Sequence, residues 1–272
     1  MERVNVLWTG GFDSSYRVCQ LSLLNLEIQP FYISLRSRKS EQYELKAIAD
    51  ITGVLSSSKE KKCRLLPLIK INQDDVLPDE QVADSFYVLH KEYAIGTQYD
   101  LLARFAKQNN LILEVGWEYD PHSKLDACMA KFGTFKKFAL PISGGGNIEY
   151  VELDRNQSSK DLVTIYGNFR FGLPLFNLTK MQTMEAYKDI GYEHVIPMTW
   201  FCAHPIKGKP CGLCHPCEGV MKANMGFRLP LRSRLLYKIF KTNPFGRSID
   251  YRLKAIYNNH WREKNRNRHT LQ

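Results

Sequence analysis

The sequence predicts an α/β protein in which one domain, built on a parallel sheet, is followed by a four-cysteine segment and a basic helical extension. Three observations carry this. Short apolar runs alternate with stretches of helical periodicity through the first 115 residues, four of the seven cysteines crowd between positions 202 and 217, and the charge excess sits near the end of the chain. With 272 residues, 44% hydrophobic and 24% charged, there is apolar material for one large domain and an appendage, which excludes disordered, collagenous and coiled-coil classes.

Val4-Asn5-Val6-Leu7-Trp8 reads as a first strand, handed over by Gly10-Gly11 to a helix from Ser14 to Leu24. Ile28 to Leu35 then reads as a strand, Glu41 to Ile51 as a helix, Leu65 to Ile71 as a strand, Glu92 to Lys107 as a helix and Leu111 to Val115 as a buried strand. Strands separated by helices imply a parallel sheet covered on both faces. After Gly116 the periodicity weakens. A helix around Lys124–Phe132, the turn Ser143-Gly144-Gly145-Gly146-Asn147 and strand-like pieces near Ile148–Leu153 and Leu162–Phe171 make 117–172 an irregular insertion. Thr179 is placed to cap a helix from Lys180 to about Ile190. The expected organisation is a domain over 1–200, a metal-binding segment over 201–227 and a tail over 228–272.

Lys plus Arg is 38 and Asp plus Glu is 28, for a formal charge of +10. Residues 228–272 hold twelve basic side chains against Asp250 and Glu263, so the entire excess is there and residues 1–227 are balanced. Within the tail, Leu231, Leu235, Leu236, Ile239 and Phe240 fall on one helical stripe, and Ile249, Leu253, Ile256, Tyr257 and Trp261 on a second. Two amphipathic helices with Arg and Lys outward are expected, open to RNA phosphates or an acidic protein partner, with a homodimer as a further expectation. No apolar run approaches the roughly 20 residues of a membrane span, and MERVNVLW has no basic leader or long apolar segment. A soluble, cytoplasmic protein without a membrane partner is expected.

Thr9-Gly10-Gly11-Phe12-Asp13-Ser14-Ser15 lies where the first strand meets the first helix. Glycines let the backbone approach an anion, helix-start amides donate to it, and the helix dipole favours negative charge there. Asp13 suits such a site only through a bridging cation, Mg²⁺, while Ser14 and Ser15 add hydroxyl donors. Neither the Walker A ending nor G-x-G-x-x-G is present. Cys202-x8-Cys211-x2-Cys214-x2-Cys217 supplies four thiolates, the complement of a closed structural Zn²⁺ site, with His204 and His215 in reserve. An iron–sulfur cluster is the competing reading, disfavoured by the upstream position of Cys202 and by Glu218 after Cys217. Cys19, Cys63 and Cys128 read as buried small hydrophobes.

The heptapeptide resembles the Ser-Gly-Gly-x-Asp-Ser signature of the PP-loop, or N-type, ATP pyrophosphatases, with an adenine-nucleotide α-hydrolase-like fold, Thr9 standing where Ser is usual. That resemblance implies cleavage of ATP between the α- and β-phosphates and adenylation of an oxygen. It places the nucleotide on Leu7, Trp8, Thr9, Gly10, Gly11, Phe12, Asp13, Ser14, Ser15 and Gly116, with Asp13, Ser14 and Lys180 as catalytic residues. Together with the cysteine spacing, Pro174-Leu175-Phe176-Asn177-Leu178-Thr179-Lys180 and Lys209-Pro210-Cys211-Gly212 are similar to phrases of the 7-cyano-7-deazaguanine synthases, the QueC-like branch. Departures fall on the substrate side. Ser34-Leu35-Arg36-Ser37-Arg38 replaces Tyr-Gly-Gln-x-His, and Gly96-Thr97-Gln98 replaces a Gly-Arg-Asn phrase, while Glu44 resembles a downstream glutamate of the family.

The resemblance implies an ATP-dependent ligase that adenylates 7-carboxy-7-deazaguanine or a close analogue for amide and nitrile formation with ammonia. Three other readings stay open: an anti-phage defence protein of the same branch joining a deazaguanine to a protein amine, a PP-loop tRNA-modifying enzyme, and a catalytically silent zinc-bearing adaptor.

Overall fold

The computed structural model describes residues 1–36, 38–120 and 123–243, and the chain divides into two compact units, Met1–Trp200 and Phe201–Gln272. The first unit opens with β1 (Arg3–Leu7), α1 (Phe12–Ser22), β2 (Glu27–Ser34), α2 (Glu41–Ser57), β3 (Arg64–Leu65) and β4 (Ile69–Asn72). It continues through α3 (Glu80–Tyr93), α4 (Gln98–Gln108), β5 (Leu113–Val115) and α5 (Lys124–Phe132). It closes with β6 (Phe135–Pro141), β7 (Asn147–Leu153), α6 (Lys160–Tyr166), β8 (Phe169–Gly172) and α7 (Lys180–Asp189).

These strands form one sheet in the order β3-β2-β1-β5-β8-β7-β6, with β4 also on β2. From β3 and β4 to β8 all pairings are parallel, and β7 and β6 extend the sheet antiparallel. The α/β class expected from the alternation of strands and helices is therefore the observed one. On one face Leu7, Phe31 and Ile33 join Leu102 and Phe105 of α4 and Tyr166 of α6 in a single core. Val6, Trp8, Ile28 and Tyr32 alternate to the other side of their strands and are equally buried.

Four local features differ from the expected elements, each for a physical reason. The strand expected over Leu65–Ile71 is split in two. Phe31 accepts from Trp8, the residue after β1, and Ile28 accepts from Leu66 on the other side, so alternation turns Pro30 toward β3 and β4. Proline has no N–H to offer there. The break between Leu65 and Ile69 lies opposite that missing donor, and Gln29 reaches across to the Pro67 carbonyl at 3.0 Å.

The helix expected over Glu92–Lys107 is two helices. Ala94 ends α3 in a left-handed conformation, φ 47°, and α4 starts after Gly96. Helix α3 escapes a periodicity search because Tyr87 and Val88 are exposed and Ser85 is buried. The strand-like piece Leu162–Phe171 is likewise divided, α6 ending at Gly167 before β8 begins. Residues 117–172 thus contain an antiparallel hairpin closed by Gly144, Gly145 and Gly146, all with φ above 90°, but then return to the parallel core through β8.

The sheet is stitched to α1 by one side chain. Arg17 is 3% exposed, pairs through Nε with Glu114 of β5, and places NH2 3.2 Å from the second Glu114 oxygen. Its remaining donors reach Gln20 (2.6 Å), the Leu173 carbonyl (3.0 Å) and the Glu149 carbonyl (3.1 Å). Five N–H groups meet five acceptors. A Cβ at Gly172 would overlap this guanidinium, so β8 can pass only as glycine there.

The second unit contains α8 (His215–Lys222) and α9 (Leu231–Tyr237), followed by one wide turn over Lys238–Thr242. Ser233 is the buried residue of α9 and donates to the Pro210 carbonyl at 2.5 Å. Leu231, Leu235 and Ile239, expected on a docked stripe, are exposed instead, because the short helix packs through its Ser233 side. The second expected stripe, Ile249 to Trp261, lies outside the described residues. Among the described residues no helix is long and apolar enough to cross a membrane.

Removing one member of a buried, hydrogen-bonded ion pair leaves an uncompensated charge, at a cost of about 3–5 kcal/mol. Arg17→Met is expected to lose that much in urea denaturation, with most of it recovered in the double variant Arg17→Met/Glu114→Met. A single variant as stable as the parent would remove the ion pair from this role.

Candidate functional site

Parallel strands deliver their connecting loops to the same edge of the sheet, and β1 with β5 forms the point where strand order reverses. The glycine turn after β1, Gly116 after β5 and the start of α7 after β8 all lie on this edge. Gly10 adopts φ 66°, and a Cβ on it would stand 2.5 Å from the Glu44 carbonyl in the first turn of α2. On its other side the Gly10 carbonyl accepts the Trp200 N–H at 2.8 Å. The turn therefore needs glycine twice over, for conformation and for space.

Gly11 caps α1 with extended backbone (φ −78°, ψ 169°) and no side-chain cap. The first-turn amides of α1 accordingly have no earlier helical carbonyl to donate to, which makes this end a seat for an anion. The Ser14 hydroxyl stands 3.2 Å from Thr9 Oγ1 and 3.3 Å from the Thr9 nitrogen, bringing two hydroxyl groups to the turn. Leu7, Trp8, Phe12 and Ser15 turn their side chains inward and offer the turn their backbone. Ser15 Oγ is occupied by the Trp8 indole N–H at 3.0 Å.

Gly116 closes the opposite wall. A Cβ there would lie 3.0 Å from the Ser14 nitrogen, so the end of β5 runs against the start of α1. Two residues on, Glu118 pairs with Lys180, whose Nζ is also 3.6 Å from Asp13 Oδ2. Lys180 opens α7, and Thr179 and Gln182 form a capping box that fixes the helix start. Asp13 Oδ1 is buried and has no hydrogen-bond partner.

Burial, and then the Asp13 charge beside it, push the Glu118 carboxyl up to about 7 against the opposing pull of Lys180. For Lys180, burial works against the charged form, but Asp13 and Glu118 outweigh it and hold the ammonium above its ordinary value. Asp13, Ser14, Gly116 and Lys180, all named in the sequence analysis, thus lie together at this edge. Glu118 was not anticipated from the sequence. Its only signal there is an acidic residue two places beyond the glycine that ends a buried strand.

Helix α7 carries a second, unforeseen contact. Tyr187, fully buried, donates to the Phe12 carbonyl at 2.7 Å while its ring packs 5.2 Å from Phe12 and 5.1 Å from Tyr16. Lys180 and Tyr187 are two turns apart on one helix, so this bond sets the height of Lys180 relative to Asp13.

In the second unit the Sγ atoms of Cys202, Cys211, Cys214 and Cys217 lie within 4.8 Å of one another. Four sulfurs at ~2.3 Å from a central ion would stand about 3.8 Å apart, and the Cys211–Cys217 and Cys202–Cys214 separations are both 3.9 Å. Backbone N–H groups of Cys211, Leu213 and Cys214 point at the sulfurs at 3.2 to 3.4 Å. Gly212, φ 83°, turns the chain between ligands where a Cβ would strike the Ser233 carbonyl. His204 and His215 are exposed and outside this group. Cys19, Cys63 and Cys128 are buried elsewhere, and burial raises all three thiols.

No family model and no curated protein matches the sequence. Among solved structures, the chain is similar to a 4-thiouridine synthetase in complex with RNA and bound ATP, at 14% identity and a TM-score of 0.36, over 87% of this chain and 53% of that one. It is also similar to a predicted subunit of tRNA methyltransferase from Methanocaldococcus jannaschii, at 17% identity and a TM-score of 0.24, over 54% of this chain and 81% of that one. The chain spans about half the length of the synthetase.

Forcing a side chain into the left-handed region costs about 1–2 kcal/mol before any overlap. Gly10→Ala is expected to lower the melting temperature by about 2–8 °C. Gly53→Ala, at a position within α2 where an added Cβ meets nothing within 4 Å, should hold or raise it. Equal effects at the two positions in differential scanning calorimetry would contradict the role given to Gly10.

Proposed function

We propose that the chain is an ATP-using PP-loop enzyme that adenylates the carboxylate of a small molecule, 7-carboxy-7-deazaguanine or a close analogue, and passes it to ammonia. The observation that carries the reading is the closure of Asp13, Glu118 and Lys180 over a glycine turn at the start of α1. A carboxylate at neutral pH resists nucleophiles, so its oxygen must first become part of a leaving group. In this reading that oxygen attacks the α-phosphorus, the bond to the β-phosphate oxygen breaks, and pyrophosphate departs with the electron pair. Nitrogen then attacks the acyl carbon and loses a proton as AMP leaves with the acyl C–O electrons. A second adenylation, on the amide oxygen, lets the amide dehydrate to the nitrile.

The protein's part is positioning and charge. First-turn amides of α1 and the Thr9 and Ser14 hydroxyls hold phosphate oxygens, and the Lys180 ammonium meets the charge growing on pyrophosphate. Asp13 and Glu118 fit a divalent cation, since Asp13 Oδ1 is buried without a partner beside a second carboxylate. Mg²⁺, when bound, would neutralise the phosphates that Asp13 alone would repel. The four thiolates fit Zn²⁺ in a closed site with no position for a reactive water, so that ion would hold the cysteine turns and take no part in the chemistry.

Protein incubated with ATP, 7-carboxy-7-deazaguanine and ammonium is expected to form AMP, pyrophosphate and the amide or nitrile, resolved by mass spectrometry. Asp13→Asn and Lys180→Met should each lower the rate by about 10²-fold or more; base-independent ATP turnover, or none, would count against the reading. Elemental analysis should return one zinc per chain, and Cys214→Ser should lower the melting temperature as zinc is lost. A second reading, a PP-loop tRNA-modifying enzyme, is favoured by the basic residues in 228–272. Steeply salt-dependent tRNA binding that vanishes on deleting them would move weight to it.

A further inference from the structure

The loop after β2 reaches the same edge of the sheet as the glycine turn, one strand over, and holds an arginine that the proposed chemistry leaves unused. Arg38 is 20% exposed and Glu44 13%. The Glu44 carboxylate takes three donors: the Tyr32 hydroxyl at 2.7 Å, the Ser40 hydroxyl at 2.6 Å and Arg38 NH1 at 3.0 Å. The main chain of the same Glu44 is what excludes a side chain at Gly10. Arg38 is therefore tethered, through one residue, to the helical turn that abuts the phosphate seat.

Only one of its three nitrogens is used in this tether. Glu44 engages NH1 alone, and Tyr32 also interacts with the guanidinium, so the fork of Nε and NH2 is taken by no carboxylate among the described residues. Arg17, also interior, shows the contrasting case, with all five N–H groups satisfied. Two neighbouring cations are paired, Arg36 with Asp74 at 2.8 Å and Lys70 with Glu41. Nε and NH2 of a guanidinium form a planar fork matched to two oxygens of one anion. Neither nitrogen is a buried atom without a partner, so the fork opens to solvent and is accessible to a ligand oxyanion.

We propose that Arg38 is an oxyanion receptor of this site, its Nε and NH2 taking two oxygens of a phosphate or carboxylate on a ligand lying across the ends of β1 and β2. The proposal rests on the ATP reading for the two sources of that anion, the nucleotide's phosphates or the carboxylate of the second substrate. Glu44 and Tyr32 are then positioning residues, holding the fork in one orientation.

Isothermal titration of the full chain with α,β-methylene-ATP, with 7-carboxy-7-deazaguanine and with inorganic pyrophosphate tests it. Arg38→Met is expected to weaken one arm at least about tenfold, and Arg38→Lys to restore it only in part, because an ammonium lacks the fork. Arg36→Met, at an exposed and paired arginine, should leave all three arms alone, and thermal melting checks that each variant is folded. A loss confined to the nucleotide and pyrophosphate assigns the receptor to phosphate; a loss confined to the deazaguanine assigns it to the carboxylate. Arg38-dependent pyrophosphate binding without nucleotide binding would keep the receptor and discard the ATP reading. A folded Arg38→Met protein that binds every probe like the parent, or a parent that binds none, overturns the proposal.

Discussion

The Arg17 guanidinium, sealed in the interior with five acceptors around it, is the constraint from which the rest of the site follows. Its partners sit on β5 (Glu114), on β7 (Glu149) and just beyond β8 (Leu173), while the arginine belongs to α1. Each of those elements delivers a piece of the site: α1 begins at the glycine turn, β5 leads to Gly116 and Glu118, and β8 leads into the segment before Lys180. None can shift along its axis without breaking a charge-assisted bond in a medium where such bonds are costly to leave unmade. A hydrophobic substitute could well match the pair in stability, since desolvation consumes much of its attraction. What a hydrophobic substitute lacks is direction. A fork with five fixed donors accepts one register of the surrounding strands.

Within that frame the site has an unusual charge count. Two carboxylates face one ammonium beside the glycine turn. The crowding is visible in Glu118, whose proton is held to about 7 because burial and the neighbouring Asp13 both oppose its ionisation. The cysteine group is a different design, with three of its four cysteines buried and backbone amide N–H groups directed at the sulfurs.

What was legible in the sequence was local. The glycine turn, the cysteine spacing and the alternation of strands with helices are all written within short windows, and the turn and the cysteine group lie where those windows place them, while several strand and helix bounds shift. Glu118, Tyr187 and the Arg38–Glu44 tether are not local, because each acquires meaning from a partner 62, 175 or 6 residues away that only the topology brings near. Even the six-residue case is hidden, since a loop arginine followed by a helical glutamate is ordinary until Tyr32 and Gly10 are seen around it. The exposed leucines of α9 mark the converse limit. An apolar stripe is readable from spacing, but which side of a seven-residue helix packs was decided by one serine against the cysteine turn.

Pro30 has one more effect, on how molecules of this protein meet each other. An open sheet has two outer strands with unpaired backbone groups, and these invite edge-to-edge addition of another chain. The gap opposite Pro30 reduces one rim to fragments of two and four residues, too short to template a long ladder. The other rim, β6, is seven residues long but carries Lys136 and Lys137, each paired with an acid, Asp154 or Glu149. A docking strand would have to strip those charges of water. Two unrelated devices thus guard the edges of the sheet, and one of them is a proline one strand in from the rim.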